Sequence, residues 1–356
     1  MNDEQVCGIV DHLMIQNSEI HVDQEELFAY FKQSAAEVDA AMLQDLAVVQ
    51  NAELLRVLKH ALFNGGKRVR PLLTVLTHHL SCRKNGREIT SKDKMKAIRL
   101  GMTIEYLHAA SLLHDDVIDQ AQKRRGKDSA NVVWGTNPVI LAGDFLHARA
   151  MQVAAGTGGV ASQNIVSQAV CAMIEAEFLQ KRIAEAKDRS EEKYFAVLAG
   201  KTAALIAAAA EVGTVMAGGG VDEQRAAVEY GGSLGLAFQV VDDLLDYLGD
   251  PARTGKAVGN DLVEGKMTLP VIYALAGAAD GDRNRLEEIL VLPREKRLAR
   301  FVEAQELLAA NQGFARAAEK ARSLVDTALA GLAVFPDCRQ KRILTGLAEY
   351  VLVRDR

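Results

Sequence analysis

The stretch LLHDDVIDQAQKRRGK, from Leu112 to Lys127, sets three carboxylates, Asp115, Asp116 and Asp119, into an otherwise apolar helical run. At ~100° per residue, Asp115 and Asp119 stand ~40° apart and one turn up, with Asp116 ~100° round from Asp115. The patch is one-sided. A second stretch, FQVVDDLLDYLGD from Phe238 to Asp250, repeats the spacing with Asp242, Asp243 and Asp246. Like charges held this closely repel each other. Mg²⁺, a hard ion that takes carboxylate and phosphate oxygens, is the natural offset. Both triplets adjoin apolar runs, Ala109 to Leu113 and Leu236 to Val241. That places them at a cavity wall, not on an ordinary wet face.

Basic residues follow the first triplet at once: Lys123, Arg124, Arg125 and Lys127. Arginine grips phosphate oxygens in pairs, so a metal-bridged phosphate near Asp115 would have guanidiniums beside it. A second anion-binding turn is Gly65-Gly66-Lys67-Arg68-Val69-Arg70-Pro71. Its glycines free the backbone to bend, and Lys67 and Arg70, three apart, share a face. It lacks the spacing of a Walker loop. Further cations are Lys201 beside Thr202, Lys256 after Gly255 and Lys266 after Gly265. Lys201 sits in a small, apolar helical run, where a buried ammonium needs a partner. His108 lies two turns before Asp115, whereas His114 and Trp134 read as structural.

The 356 residues are 49% hydrophobic and 25% charged, an ordinary globular composition. A net charge of -5 and a pI near 6.0 exclude a broad nucleic-acid surface. Four cysteines, Cys7, Cys82, Cys171 and Cys338, lack zinc or redox spacing and read as free thiols. Met1 to Gln24 is a polar, acidic lead without signal-peptide layout. No apolar run of ~18 residues is expected to span a membrane. Leu205 to Gly220 comes nearest, contains Glu211, and reads as a buried core helix.

Helical spacing covers nearly everything else. Helices are expected at Glu25–Gln50, Ala52–Phe63 and Pro71–Leu80, with Ser81–Glu88 a polar loop. Ser91 is expected to cap Lys92–Asp119. Asn137-Pro138 opens Val139–Ala155. Gly156–Gly159 forms a turn before Gln163–Lys187, and Ser190 starts a helix running to Met216. Asp222–Leu248 carries the second triplet, Asp250–Gly265 forms a loop, and Thr268–Ala278 leads into amphipathic stretches. No strand alternation persists and no 20–50-residue repeat is visible. The economical answer is all-α: a lead at 1–24, then one large helical bundle around a central cavity over 25–356.

Taken together, GGKRVRP, LLHDDVIDQAQKRRG, the Lys201-Thr202 pair, FQVVDDLLD and the GK…GNDLVEGK loop resemble the trans-type polyprenyl diphosphate synthases, all-α enzymes of the isoprenoid synthase fold. Order and separations match from about Glu26 onward. The closing GLAEYVLVRDR is similar to the bacterial octaprenyl diphosphate synthase branch. The resemblance implies two diphosphate sites. Asp115 and Asp119 on one side and Asp242 on the other would hold Mg²⁺, three ions in all. Asp116, Asp243 and Asp246 would support them. Arg124, Lys201, Thr202, Gln239, Lys256 and Lys266 would hold an allylic diphosphate, with Lys201 also counted among the catalytic set. Lys67, Arg70, His108 and Arg125 would hold isopentenyl diphosphate. Gln180 matches a position near the metal shell only loosely.

The implied reaction ionises the allylic diphosphate in a dry cavity, adds the alkene of isopentenyl diphosphate, and loses a proton to the leaving diphosphate. The implied function is long-chain, all-trans polyprenyl diphosphate synthesis from farnesyl diphosphate for quinone side chains. The implied partners are a second copy in a homodimer, with 138–155 and neighbouring helices in contact, no nucleic acid, and transient membrane contact in the cytoplasm. Two alternatives stay open, a shorter-chain farnesyl or geranylgeranyl synthase and a non-catalytic partner subunit. Ala110 and Ser111, about one turn before Asp115, are small, so the tunnel should be open at that level. Ala110→Phe should therefore shorten the product. An unchanged product ladder on chromatography would refute that expectation.

Overall fold

The computed structural model describes residues 24–354, apart from Arg125, Lys187 and 250–257. Expectations for the lead, Cys7, Arg125 and Lys256 lie outside those residues. The described chain is all-α, as expected, apart from one tiny hairpin. Its principal helices are α1 (Gln24–Asp45), α2 (Ala52–Leu62), α3 (Val69–Lys84), α4 (Ser91–Ile118), α5 (Ala130–Trp134), α6 (Thr136–Ala186), α7 (Glu191–Leu198), α8 (Ala204–Met216) and α9 (Val221–Leu248). After α9 come α10 (Asn260–Glu264) and α11 (Leu269–Gly277), then α12 to α14 between Asp280 and Ala310, α15 (Gly313–Gly331) and α16 (Arg339–Val353).

The acidic helices are central. Helix α4 packs along α6, and α9 packs between α8 and α15. One continuous apolar core runs from Leu27 in α1 to Val351 in α16. Small residues let the rods come close. A Cβ on Gly235 of α9 would stand 2.7 Å from Ala203 Cα, and one on Gly200 would stand 2.7 Å from the Ala172 carbonyl of α6. Both crossings flank the Lys201-Thr202 pair and fix it between α6 and α9.

Several boundaries differ from the sequence reading. Thr90, not Ser91, caps α4: its hydroxyl accepts from the Asp93 amide at 3.1 Å, and Asp93 accepts from the Thr90 amide at 3.2 Å. The reciprocal pair satisfies two orphan amides, which a serine one position later cannot do. Helix α3 runs on to Lys84 because Ser81 and Cys82 are buried, so the expected loop starts later. Helix α6 begins at Thr136 and continues through the expected turn, with only a kink at Gly159, where φ is 71°. Ser190 does cap α7, accepting from the Lys193 amide at 3.3 Å. The basic cluster forms a hairpin, Lys123–Arg124 against Lys127–Asp128, in place of a helix end.

The run Glu191–Met216 is long and apolar enough to cross a membrane by length and composition alone. Here it is a core rod whose Leu205, Ile206, Ala209 and Val212 are buried against α3, α6 and α9. It is broken by one π turn, Ala199–Ala203. Such a turn inserts a residue into the helical register and re-aims the side chains on it.

Candidate active site

The first triplet closes α4. Asp115 is half-buried, Asp116 is 2% exposed, and Asp119 is the exposed C-cap. Arg124 reaches back from the hairpin. Its Nε donates to both oxygens of Asp116, at 2.8 and 3.0 Å, and its Nη2 lies 2.6 Å from Oδ1. Asp116 is thus a buried anchor for the arginine expected to face phosphate. Burial pushes the Asp115 carboxyl up, Lys201 pulls it back, and Glu177 and Asp119 push it up again.

The second triplet lies in α9 near its end. Asp243 is 5% exposed. It accepts from Tyr194 Oη at 2.7 Å and from Gln239 Nε2 at 3.1 Å. Burial, reinforced by Asp261, lifts its pKa to about 7. Burial and Asp261 lift Asp246 to about 6, although Asp246 accepts from the Asp261 amide at 2.8 Å. Asp242 is partly exposed, and Arg354, just past the end of α16, pairs with it. Arg354 Nη2 donates to Asp242 Oδ1 at 2.7 Å and to the Phe238 carbonyl at 2.8 Å. Its guanidinium lies 3.7 Å from the Phe238 ring centre.

The π turn acts on both triplets at one remove. Lys201 Nζ lies 2.7 Å from Glu177 Oε2 and donates to Gln180 Oε1 at 2.9 Å, close enough to Asp115 to stabilise its charge. The next residue, Thr202, donates to Gln239 Oε1 at 3.3 Å, and Gln239 holds Asp243. One five-residue turn therefore connects α4, α6 and α9 at their acidic ends.

The other expected residues divide between two hollows. His108, Asp116 and Arg124 line one cavity together with Asn64, Arg68 and Glu105. Lys127 Nζ donates to Asn64 Oδ1 at 2.6 Å and so ties the hairpin to the glycine turn. Lys67, on the same glycine turn, lines the adjoining cleft, where its ammonium donates to Tyr350 Oη at 3.2 Å beside Phe28 and Phe31. Arg70 is half-buried in the first turn of α3. Lys266 is held by Asp261 at 3.1 Å and Glu264 at 2.8 Å. Ala110 is fully buried, and Ser111, half-buried, donates to the His108 carbonyl at 2.9 Å.

Sequence reasoning missed Glu177, Tyr194, Asp261 and Arg354. Two of them carried a signal, Asp261 by its place in GNDLVEGK beside the glycine-lysine loop and Arg354 by its place in GLAEYVLVRDR. Among the described residues, no three acidic, histidine or cysteine side chains converge tightly enough to cage an ion alone. The donors are nonetheless all oxygen, on two helices joined by one cationic turn. That set fits Mg²⁺, which usually takes one or two carboxylates and completes its shell with water and substrate phosphate.

The polyprenyl synthetase family model matches residues 51–308. The chain belongs to the polyprenyl synthetase family. It is 35% identical over 325 residues to the octaprenyl diphosphate synthase of Escherichia coli, covering 91% of this chain and 97% of that one. It is also 35% identical over 324 residues to a short chain isoprenyl diphosphate synthase of Methanothermobacter thermautotrophicus, covering 89% and 95%. The crystal structure of a Caulobacter crescentus polyprenyl synthase complexed with calcium and isoprenyl diphosphate superposes with a TM-score of 0.82 at 32% identity, covering 96% and 99%. Family membership makes the chain a prenyltransferase and agrees with the all-α isoprenoid synthase fold.

The raised carboxyls set a pH response. Folded Asp243 and Asp246 keep a proton that their unfolded forms, with pKa near 3.8, have lost. Their stabilising contribution is full below that value and fades as pH rises towards 7. Thermal melts of chelator-treated protein should show this fall between pH 5 and 7, and Asp243→Asn should flatten it. A variant profile parallel to the wild type would contradict the assignment.

Proposed function

We propose that the protein is a Mg²⁺-dependent, long-chain trans-polyprenyl diphosphate synthase. In this reading isopentenyl diphosphate adds head-to-tail onto an allylic diphosphate, with farnesyl diphosphate as starter and an octaprenyl-length product for quinone side chains. The observation that carries it is one turn, in a chain of this family, whose Lys201 stabilises the charge of Asp115 and whose Thr202 bonds the Gln239 that holds Asp243. The length assignment draws on the E. coli relative and on the small Ala110 and Ser111.

Asp115, Asp119 and Asp242 are the metal-holding carboxylates, with Asp116, Asp243 and Asp246 supporting them. When bound there, Mg²⁺ supplies charge neutralisation for the departing diphosphate. Lys201, Thr202, Gln239, Lys266 and Arg124 orient the allylic phosphates, and Lys256 joins them from outside the described residues. Lys67, Arg70 and His108, with Arg125 also outside those residues, hold isopentenyl diphosphate. The apolar wall around Leu112 and Leu113 keeps water from the allylic cation formed when the C–O bond breaks. The alkene of isopentenyl diphosphate forms the new C–C bond. The proton then shed leaves with the free diphosphate.

The Methanothermobacter relative favours a second reading, a shorter product. Purified protein incubated with farnesyl and isopentenyl diphosphates and Mg²⁺ should give a ladder ending at long chains by mass spectrometry. A ladder stopping at geranylgeranyl selects the second reading, and no product at all rejects both. Asp115→Ala or Asp242→Ala should cut turnover by roughly 10³-fold, as should chelation.

We further propose a homodimer acting in the cytoplasm and meeting membranes only through its lipid product. Leu141, Ile174 and Phe178 of α6 are 64%, 54% and 71% exposed, a large apolar surface for one helix. Light scattering should give twice the chain mass, and Phe178→Glu should shift it towards the monomer. A monomeric wild type would refute the dimer.

A further inference from the structure

Arg68 stands between Lys67 and Arg70 yet is buried where Lys67 is exposed. Its φ of 50° lies in the left-handed region, which Arg68 shares with only Gln120 and Gln312 among the described non-glycine residues. An L side chain is strained there unless its surroundings hold it. Here they do. Arg68 Nε donates to Asp39 Oδ1 of α1 at 2.9 Å, and Nη1 donates to Glu105 Oε1 of α4 at 2.8 Å. Nη2 donates to the Leu62 carbonyl, where α2 ends. The side chain is 5% exposed and its Glu105 partner 8%. Three of the fork's five N–H donors, one on each nitrogen, are thus spent on protein oxygens, and burial keeps the guanidinium in place.

Glu105 lies one turn before His108, and Arg68, Glu105 and His108 line the same cavity. The buried pair thus ties the glycine turn to the helix that carries His108 and, further along, Asp115. Gly65 and Gly66 just before it have φ of 87° and 147° and impose little restraint of their own.

We propose that Arg68 is a positioning residue for the isopentenyl diphosphate site. Its inward fork locks the left-handed turn, sends Lys67 outward, starts α3 with Arg70 in register, and cancels the charge of Glu105 on a wall that faces an anion. This rests on the reading of Lys67, Arg70 and His108 as ligands of that diphosphate. Preorganisation of this kind lowers the ordering cost of binding. Without Arg68, the turn loses its tether and Glu105 becomes an unpaired negative charge beside the bound anion.

The test uses the full chain and two readouts: calorimetric binding of isopentenyl diphosphate alone, and steady-state kinetics with each substrate varied in turn. Arg68→Lys and Arg68→Met should weaken isopentenyl diphosphate binding and raise its KM by roughly tenfold or more, while the KM for farnesyl diphosphate changes less than about twofold. Arg68→Gly keeps the left-handed turn but should show the same split. The double variant Arg68→Met with Glu105→Gln removes the orphaned charge and should recover part of the affinity lost by Arg68→Met. It also keeps the proposal testable if Arg68→Met fails to fold. Lower melting temperatures with both KM values unchanged, or an equal rise in both, would overturn the positioning role. A wild type that neither binds isopentenyl diphosphate nor elongates farnesyl diphosphate would instead overturn the underlying functional reading.

Discussion

Carboxylates buried in apolar helices must be neutralised, either by taking up a proton or by meeting a cation. The acidic ends of α4 and α9 do both. Asp243 and Asp246 hold their protons to unusually high pH. Arg124 is clamped on Asp116, Arg354 caps Asp242, and Lys201 leans towards Asp115 from its bond to Glu177. Each cation comes from a different element: a hairpin, the last helix and a π turn. The fold can be understood as the scaffold that delivers these three charges to two triplets.

That requirement accounts for otherwise odd local features. The π turn interrupts the apolar rod at Lys201, the lysine set among its small apolar residues. The glycines at the helix crossings let α6 and α9 approach that turn closely. The two-residue hairpin costs little backbone order and swings Arg124 back over the end of α4. On the proposed function, this arrangement is what would let the acidic site exchange protons and internal cations for metal and diphosphate. The seam between bundle helices is where such folds place polar groups for a ligand.

The helices and both triplets were legible because they rest on local periodicity, which needs no tertiary knowledge. The Lys201-Thr202 pair stood out because a lysine in an alanine-rich run demands a partner. The partner was not legible: Glu177 and Gln180 lie on another helix. Arg354 meets Asp242 across 112 residues, and Tyr194 meets Asp243 across 49, so no spacing rule could find either contact. The cap of α4 shifted by one residue because Thr90 and Ser91 are both good caps and only Thr90 faces Asp93. Arg68 was passed over for a related reason. Sequence showed a basic turn, while backbone handedness decided which of its cations is buried against protein oxygens.

The central claim is that two aspartate triplets share divalent ions with one diphosphate. Its most direct measurement is anomalous scattering from crystals grown with Mn²⁺ and a non-hydrolysable allylic diphosphate. Manganese peaks within coordination distance of Asp115 and Asp119 and of Asp242, joined through phosphate oxygens and with Arg354 moved off Asp242, are the expected result. Manganese bound at one triplet only, or a diphosphate seated away from both, would contradict it.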